Sequence, residues 1–321
     1  MKKHSLCHIL PGGSQKFINS HLYEIESALE KVKRIDGWLS FDDAVSFYLL
    51  LKIQKDFSIS GTVLEIGVYR GKSAIYIAQL LDPDERFFCC DIFEGETEIL
   101  NSLEIEESYP SLSRRSFEEN FMENLGYLPD IFQLTSGVFW SELNDILFRM
   151  IHIDGSHLYE IVKNDLISAT KFIQPSTGII VVDDFRAQHT VGVSLAVWET
   201  IISMKLRPIV ITSAKIYLVK PEFNLDLQYF SDFLGLQKID YAIEEILGNK
   251  VIRIKNTTDI NLYKNRSLIK DWIPPILVNF LQAQKSVTKF RIFLANFAKS
   301  TLRPSRKPFS AALFSKIKDR D

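Results

Sequence analysis

Between Thr62 and Thr212 the chain repeats one motif of texture. Short β-prone apolar runs lie at Thr62–Ile66, Phe87–Asp91, Ile131–Leu134, Met150–Ile153, Ile179–Val182 and Ile209–Thr212. Most are separated by helix-like segments such as Lys72–Leu81, Leu158–Phe172 and Val191–Met204. Strands that are apolar on both faces must be covered on both faces, so the pattern predicts a parallel sheet between helices. The last step differs. Pro208–Thr212 and Ile216–Val219 are separated only by Ser213-Ala214-Lys215, whereas a parallel crossover needs about a dozen residues, so this pair is antiparallel. The expectation is an α/β, doubly wound, mostly parallel seven-stranded sheet with an antiparallel last strand. That ending is not the usual dinucleotide-binding arrangement.

The flanks divide the chain into three parts: an N-terminal helical segment (1–60), a sheet domain (61–220) and a C-terminal extension (221–321). Ile18, Leu22, Ile25, Leu29 and Val32 step by four and three, marking an amphipathic helix after Ser14. Ser40 with Asp43 reads as a capping box opening a second helix. Beyond Pro221 the alternation fades, although Val251–Ile254 reads as a further strand, and Phe290, Phe293, Leu294 and Phe297 mark a helix. The net charge of −2 over 321 residues is an average. Lys285–Asp321 carries ten Lys/Arg against two Asp/Glu, leaving 28 basic and 38 acidic groups in the rest. An acidic body with a basic tail does not suit a nucleic-acid binder. The tail suits an anionic membrane surface, or a solvated or subunit-docking extension. Three cysteines without a C-x-x-C pair suggest neither a disulfide framework nor a zinc site. With no leader and no spanning run recognised, the cytoplasm is the expected compartment.

The turn Leu64-Glu65-Ile66-Gly67-Val68-Tyr69-Arg70-Gly71-Lys72-Ser73 ends a strand and begins a helix. Such a turn brings backbone close to a ligand. The dinucleotide pattern G-x-G-x-x-G fails, because Glu65 and Arg70 stand where glycines are required. The P-loop pattern keeps Gly71-Lys72-Ser73 but has Ile66 at its leading glycine, so a nucleotide hydrolase or kinase stands as the alternative. The form E-x-G-x-x-x-G is satisfied in full. Its acid suits a ligand with an ammonium and a sulfonium and would repel a pyrophosphate. Asp91 ends the second strand, where an acidic side chain accepts hydrogen bonds from ribose hydroxyls; the alternative there is a turn cap. The stretch from Glu94 to Ser113 has six glutamates and no basic residue, a lid or a solvated loop.

Asp154-Gly155-Ser156-His157 follows the fourth strand and Asp183-Asp184-Phe185 the fifth. If these strands are neighbours their ends lie about 4.8 Å apart. Asp154, Asp183 and Asp184 then crowd three carboxylates, an oxygen-only set that favours a hard ion, most simply Mg²⁺. His157 is placed to act as general base for a substrate hydroxyl, or else to face a helix terminus. His152, within the strand, reads as a packed histidine.

The glycine turn resembles the first motif of class I S-adenosylmethionine-dependent methyltransferases. Together with Asp36-Gly37-Trp38-Leu39-Ser40, the D-G-x-H at Asp154–His157 and Asp183-Asp184-Phe185, it resembles the group of metal-dependent sugar O-methyltransferases and cephamycin-pathway relatives. The resemblance spans roughly residues 36–220. It implies that Glu65, Gly67, Gly71 and Ser73 line the methionine end of S-adenosylmethionine, with Asp91 on its ribose. It implies that Asp154, Asp183 and Asp184 hold the metal and His157 takes the substrate proton. The expected partner is a small-molecule or glycan hydroxyl acceptor, and the N-terminal helices leave room for a homo-oligomer. A cofactor-binding member of the same fold that does not methylate remains the third reading.

Overall fold

The computed structural model describes residues 14–95, 109 and 112–255, with side chains from Ser20 onward. The basic tail, its aromatic helix and most of the glutamate-rich stretch lie outside the described residues.

Helix α1 (Ser14–Val32) buries Ile25, Ala28 and Val32, and α2 (Phe41–Asp56) follows it. Ser40 caps α2 as its spacing predicts: its hydroxyl oxygen accepts from the Asp43 N–H at 3.1 Å. The alternation then runs β1 (Val63–Ile66), α3 (Lys72–Ala78), β2 (Phe87–Asp91), α4 (Arg114–Leu125), β3 (Asp130–Gln133), α5 (Ser136–Glu142), β4 (Met150–Ile153), α6 (Tyr159–Phe172), β5 (Ile179–Val182) and α7 (Val191–Met204). It closes with β6 (Arg207–Ile211), β7 (Ile216–Val219), α8 (Gln228–Leu236), β8 (Tyr241–Ile246) and β9 (Asn249–Ile254).

One sheet takes all these strands, in the order β3-β2-β1-β4-β5-β7-β6-β9-β8. Strands β1 to β5 are parallel, and β7 is antiparallel to both β5 and β6, as the three-residue connection requires. The sheet has nine strands rather than the seven expected. The hairpin β8–β9 joins it through β9, which runs parallel to β6.

Alternate strand residues feed two hydrophobic layers. Val63, Phe87, Cys89 and Val181 pack towards α1, α2, α3 and α8, while Leu64, Phe88, Cys90 and Val182 pack towards α5, α6 and α7. The order in which successive strands are added reverses between the parallel neighbours β1 and β4, so the carboxyl ends of those strands open a crevice, the usual ligand position in such sheets. No helix among the described residues is long and apolar enough to cross a membrane.

Candidate active site

The register of β1, β2 and β4 brings Gly67, Asp91 and Asp154 to one edge. The Gly67 N–H donates to the Cys90 carbonyl at 2.8 Å, and the Asp154 N–H to the Ile66 carbonyl at 2.8 Å. Gly67 has φ +80°, and a Cβ there would lie 2.0 Å from the Asp154 carbonyl oxygen. Only glycine lets the turn approach the neighbouring strand this closely. Gly71, at φ +90°, begins α3 against the Phe117 ring.

Asp91 holds this turn. Its Oδ2 accepts from the Val68 and Tyr69 N–H groups at 2.8 and 3.0 Å, and its Oδ1 from Phe93 N–H at 2.8 Å. Burial raises its carboxyl above the ordinary range, and these backbone donors oppose the rise. Asp91 thus acts first as the cap of this turn, its carboxylate held by successive backbone N–H groups. Asp91 also lines the cleft.

Glu65 and Ser73 lie behind the turn. The Ser73 hydroxyl donates to Glu65 Oε1 at 2.5 Å, and His152 Nδ1 lies 2.9 Å from the same oxygen. All three are buried. Burial, aided by the nearby Lys215 charge, lowers the His152 pKa, which keeps the ring neutral. Lys72 Nζ donates to the Gly37 carbonyl at 2.9 Å, so neither residue of the P-loop alternative is aimed at a phosphate. The segment Asp36–Trp38 clasps the turn instead: Asp36 pairs with Arg70 at 2.5 Å, and Trp38 stacks on Tyr69.

A cleft of about 450 Å³ opens over Gly67 and Asp91. Its far wall holds Thr135–Gly137, in the loop after the third strand, with Asn164 and Asp165, two residues no sequence motif marks. Asp165 accepts from the Trp140 indole at 2.9 Å, and burial pushes its carboxyl up to about 6 against the Ser136 and Trp140 hydrogen bonds.

Pairing of β4 with β5 sets Asp154 beside Asp183, so the condition on neighbouring strands is met. Oxygens of Asp154, Asp183 and Asp184 lie within 4.8 Å of one another. A void of about 10 Å³ sits among Asp154, Ser156, His157, Asp183 and Asp184, close to the size of one water or ion. His157 Nε2 lies 2.8 Å from Asp184 Oδ2, and the His157 ring meets His189 edge-on.

Lys215 completes this edge, and the motifs did not find it. It is 1 % exposed, forms an ion pair with Asp183, and lies 3.8 Å from Asp154 Oδ2. Burial alone would raise the Asp183 carboxyl; the Lys215 ammonium outweighs it and holds the group below the ordinary range. Burial and the Asp183 charge push Asp154 well up. Asp43, from α2, is pushed up to about 6 by burial. It accepts from the Thr212 hydroxyl at 2.5 Å, while Asp42 accepts from the Ser213 N–H at 2.8 Å.

Residues 64–185 match a family described as a methyltransferase domain. No curated protein matches the chain. Among solved structures, the O-methyltransferase NovP is 18% identical over 55% of this chain and 78% of its own, with a TM-score of 0.47. The TDP-rhamnose 3'-O-methyltransferase of calicheamicin biosynthesis is 15% identical over 63% of this chain and 93% of its own, at 0.40. An O-methyltransferase from Bacillus cereus is 18% identical over 63% and 91%, at 0.39. Likenesses this loose carry neither an acceptor nor a metal across. The family match covers the glycine turn, both acidic strand ends and His157, and over residues 64–185 the chain is similar to a methyltransferase domain.

Proposed function

We propose that this domain methylates a hydroxyl of a small acceptor, with a sugar or glycan precursor as the acceptor class and a divalent ion, most simply Mg²⁺, at the acidic strand ends. One observation carries the reading: Asp154, Gly155 and Ser156 form a wall common to the cleft over the glycine turn and the void beside His157. A donor in the cleft and a hydroxyl beside His157 therefore meet across three residues. S-adenosylmethionine supplies a methyl already activated on a sulfonium, so the protein's task is alignment and removal of a proton.

The chain's residues divide that task. Gly67 and Asp91 shape the cofactor side, and Glu65, Gly71 and Ser73 support the turn from behind. Asp184 accepts from His157 Nε2–H, which fixes the tautomer and places the basic lone pair on Nδ1. Nδ1 takes the acceptor's proton, and the Asp184 carboxylate steadies the imidazolium that results. Asp154, Asp183 and Asp184 would hold the ion: their oxygens suit a hard cation, and the void among them has the right size. When bound, such an ion makes a coordinated hydroxyl more acidic.

The test is methyl transfer from labelled S-adenosylmethionine to nucleotide sugars and phenols, with and without chelator, for the full chain and for His157→Ala. The expected result is a loss of about 10²–10⁴ in kcat with cofactor affinity unchanged. Full activity in His157→Ala would sink the base assignment. Cofactor binding without turnover on any acceptor would favour a non-methylating role, and activity indifferent to chelator would remove the metal.

A further inference from the structure

A cation belonging to the chain itself already stands among the carboxylates assigned to the metal. We propose that Lys215 is the resident cation of this edge and makes the divalent-ion site weak and exchangeable, a proposal that rests on the metal-assisted reading above. The backbone puts it there. In the β5–β7 pairing Val182 faces Ile216, so the next residue out on each strand is Asp183 on one side and Lys215 on the other. Its ammonium pairs with Asp183 Oδ2 and lies 3.8 Å from Asp154 Oδ2.

Lys215 cannot swing aside to admit an ion. Its side chain is 1 % exposed, and the hairpin that carries it is fastened from α2. Asp43 accepts from the Thr212 hydroxyl, Asp42 from the Ser213 N–H, and the Lys215 N–H donates to Thr212 Oγ1 at 2.9 Å. An ion entering among Asp154, Asp183 and Asp184 therefore meets a fixed positive charge in a poorly solvated place, where like charges repel strongly. It also finds one Asp183 oxygen in an ion pair, the other accepting from the Asp184 N–H at 2.7 Å, and one Asp184 oxygen on His157. Three carboxylates are present, yet fewer than three are at the ion's disposal.

Two consequences follow for the protein without any ion. The acidic edge holds together, because Lys215 offsets part of its charge. The site also loses its ion readily, behaving as the weaker oxygen-ligand sites do, with a dissociation constant of about 0.1–1 mM.

Mn²⁺ titration of the full-length protein, followed by electron paramagnetic resonance, tests this without recourse to activity. Wild type should bind weakly, Lys215→Arg equally weakly, and Lys215→Met at least about tenfold tighter, a change of about 1.4 kcal/mol. Lys215→Met leaves its carboxylate partners unpaired, so its melting temperature should fall without divalent ion and recover in millimolar Mg²⁺. Wild type should gain only a small part of that shift from the same Mg²⁺. A micromolar or tighter wild-type constant would overturn the proposal while leaving the metal reading intact. A Lys215→Met protein that binds Mn²⁺ no better, or that Mg²⁺ does not rescue, would overturn it as well. Absence of Mn²⁺ binding in every variant would remove metal and proposal together. Calorimetry with S-adenosylhomocysteine on the same samples reports the cofactor site separately.

Discussion

Replacing Gly67 by alanine puts two costs on one residue, and the structure supplies a control that separates them. A Cβ at Gly67 would lie 2.0 Å from the Asp154 carbonyl oxygen and 2.6 Å from the Gly155 Cα, where ordinary contact begins at 3.4 Å. The turn or the end of β4 must move by more than an ångström. Both are held by the Asp154 N–H to Ile66 carbonyl bond at 2.8 Å, so the movement breaks that bond. Left-handed φ costs a non-glycine residue roughly 1–2 kcal/mol, and a broken buried backbone bond adds about 1–3 kcal/mol. Gly126, which ends α4 at φ +77°, has nothing within 4 Å of its would-be Cβ. Gly126→Ala should therefore lose only the conformational part, roughly 1–2 kcal/mol, and Gly67→Ala roughly 2–5 kcal/mol in all. Urea unfolding of the two variants measures the difference. Titration with S-adenosylhomocysteine should show Gly67→Ala weakened at least tenfold and Gly126→Ala unaffected. Equal losses of stability in the two, with cofactor affinity intact in both, would refute the close-approach argument.

Three other perturbations have defined outcomes. The Asp165 carboxyl, raised to about 6, favours the protonated native state, so its contribution is full below pH 4 and is lost as pH rises through 6. Asp165→Asn keeps an acceptor for Trp140 and removes that slope; its stability relative to wild type should grow by up to about 3 kcal/mol between pH 4 and 7, and parallel pH profiles would refute this. Arg149→Met strands the buried Glu85, whose carboxylate lies 2.6 Å from the guanidinium, and should cost about 3–5 kcal/mol in urea unfolding, much of it recovered by adding Glu85→Gln. Asp91→Asn turns an amide donor towards backbone N–H groups that now donate to a carboxylate. It should cost about 1–3 kcal/mol of stability and weaken cofactor binding measurably by calorimetry.

The strands legible in the sequence are those whose apolar runs are uninterrupted. Phe87–Asp91, Met150–Ile153, Ile179–Val182 and Ile216–Val219 have the bounds their composition predicts, because burial on both faces leaves no polar position to blur the edges. Strand β8 is illegible in the sequence for the opposite reason. Tyr241–Ile246 is half exposed and carries Glu244 and Glu245, so it reads as neither a buried strand nor an amphipathic helix. The site divides in the same way. Gly67, Asp154, Asp183 and His157 are recognisable from their neighbours in the chain. Lys215 and Asp43 act through contacts that no local spacing encodes; the Asp43 carboxylate meets Thr212 across 169 residues. Cys89 and Cys90 are buried, and burial pushes both thiols up, away from reactivity.

Strand β7 follows β6 in the chain but lies between β6 and β5 in the sheet. A nascent chain emerges from its N-terminus onward, so β5 is synthesised with one edge open and stays so until the hairpin has been made and docks by its second strand. Throughout that interval Asp183 has no ammonium opposite it, and Asp42 and Asp43 have no hairpin to fasten. The glycine turn needs only β1, β2 and β4, all made earlier. The cofactor half of the site can therefore form ahead of the acidic half, and a ribosome stalled before Ser213 would present the first without the second. Docking of one short hairpin is the event that brings Lys215 to Asp183 and closes the acidic edge.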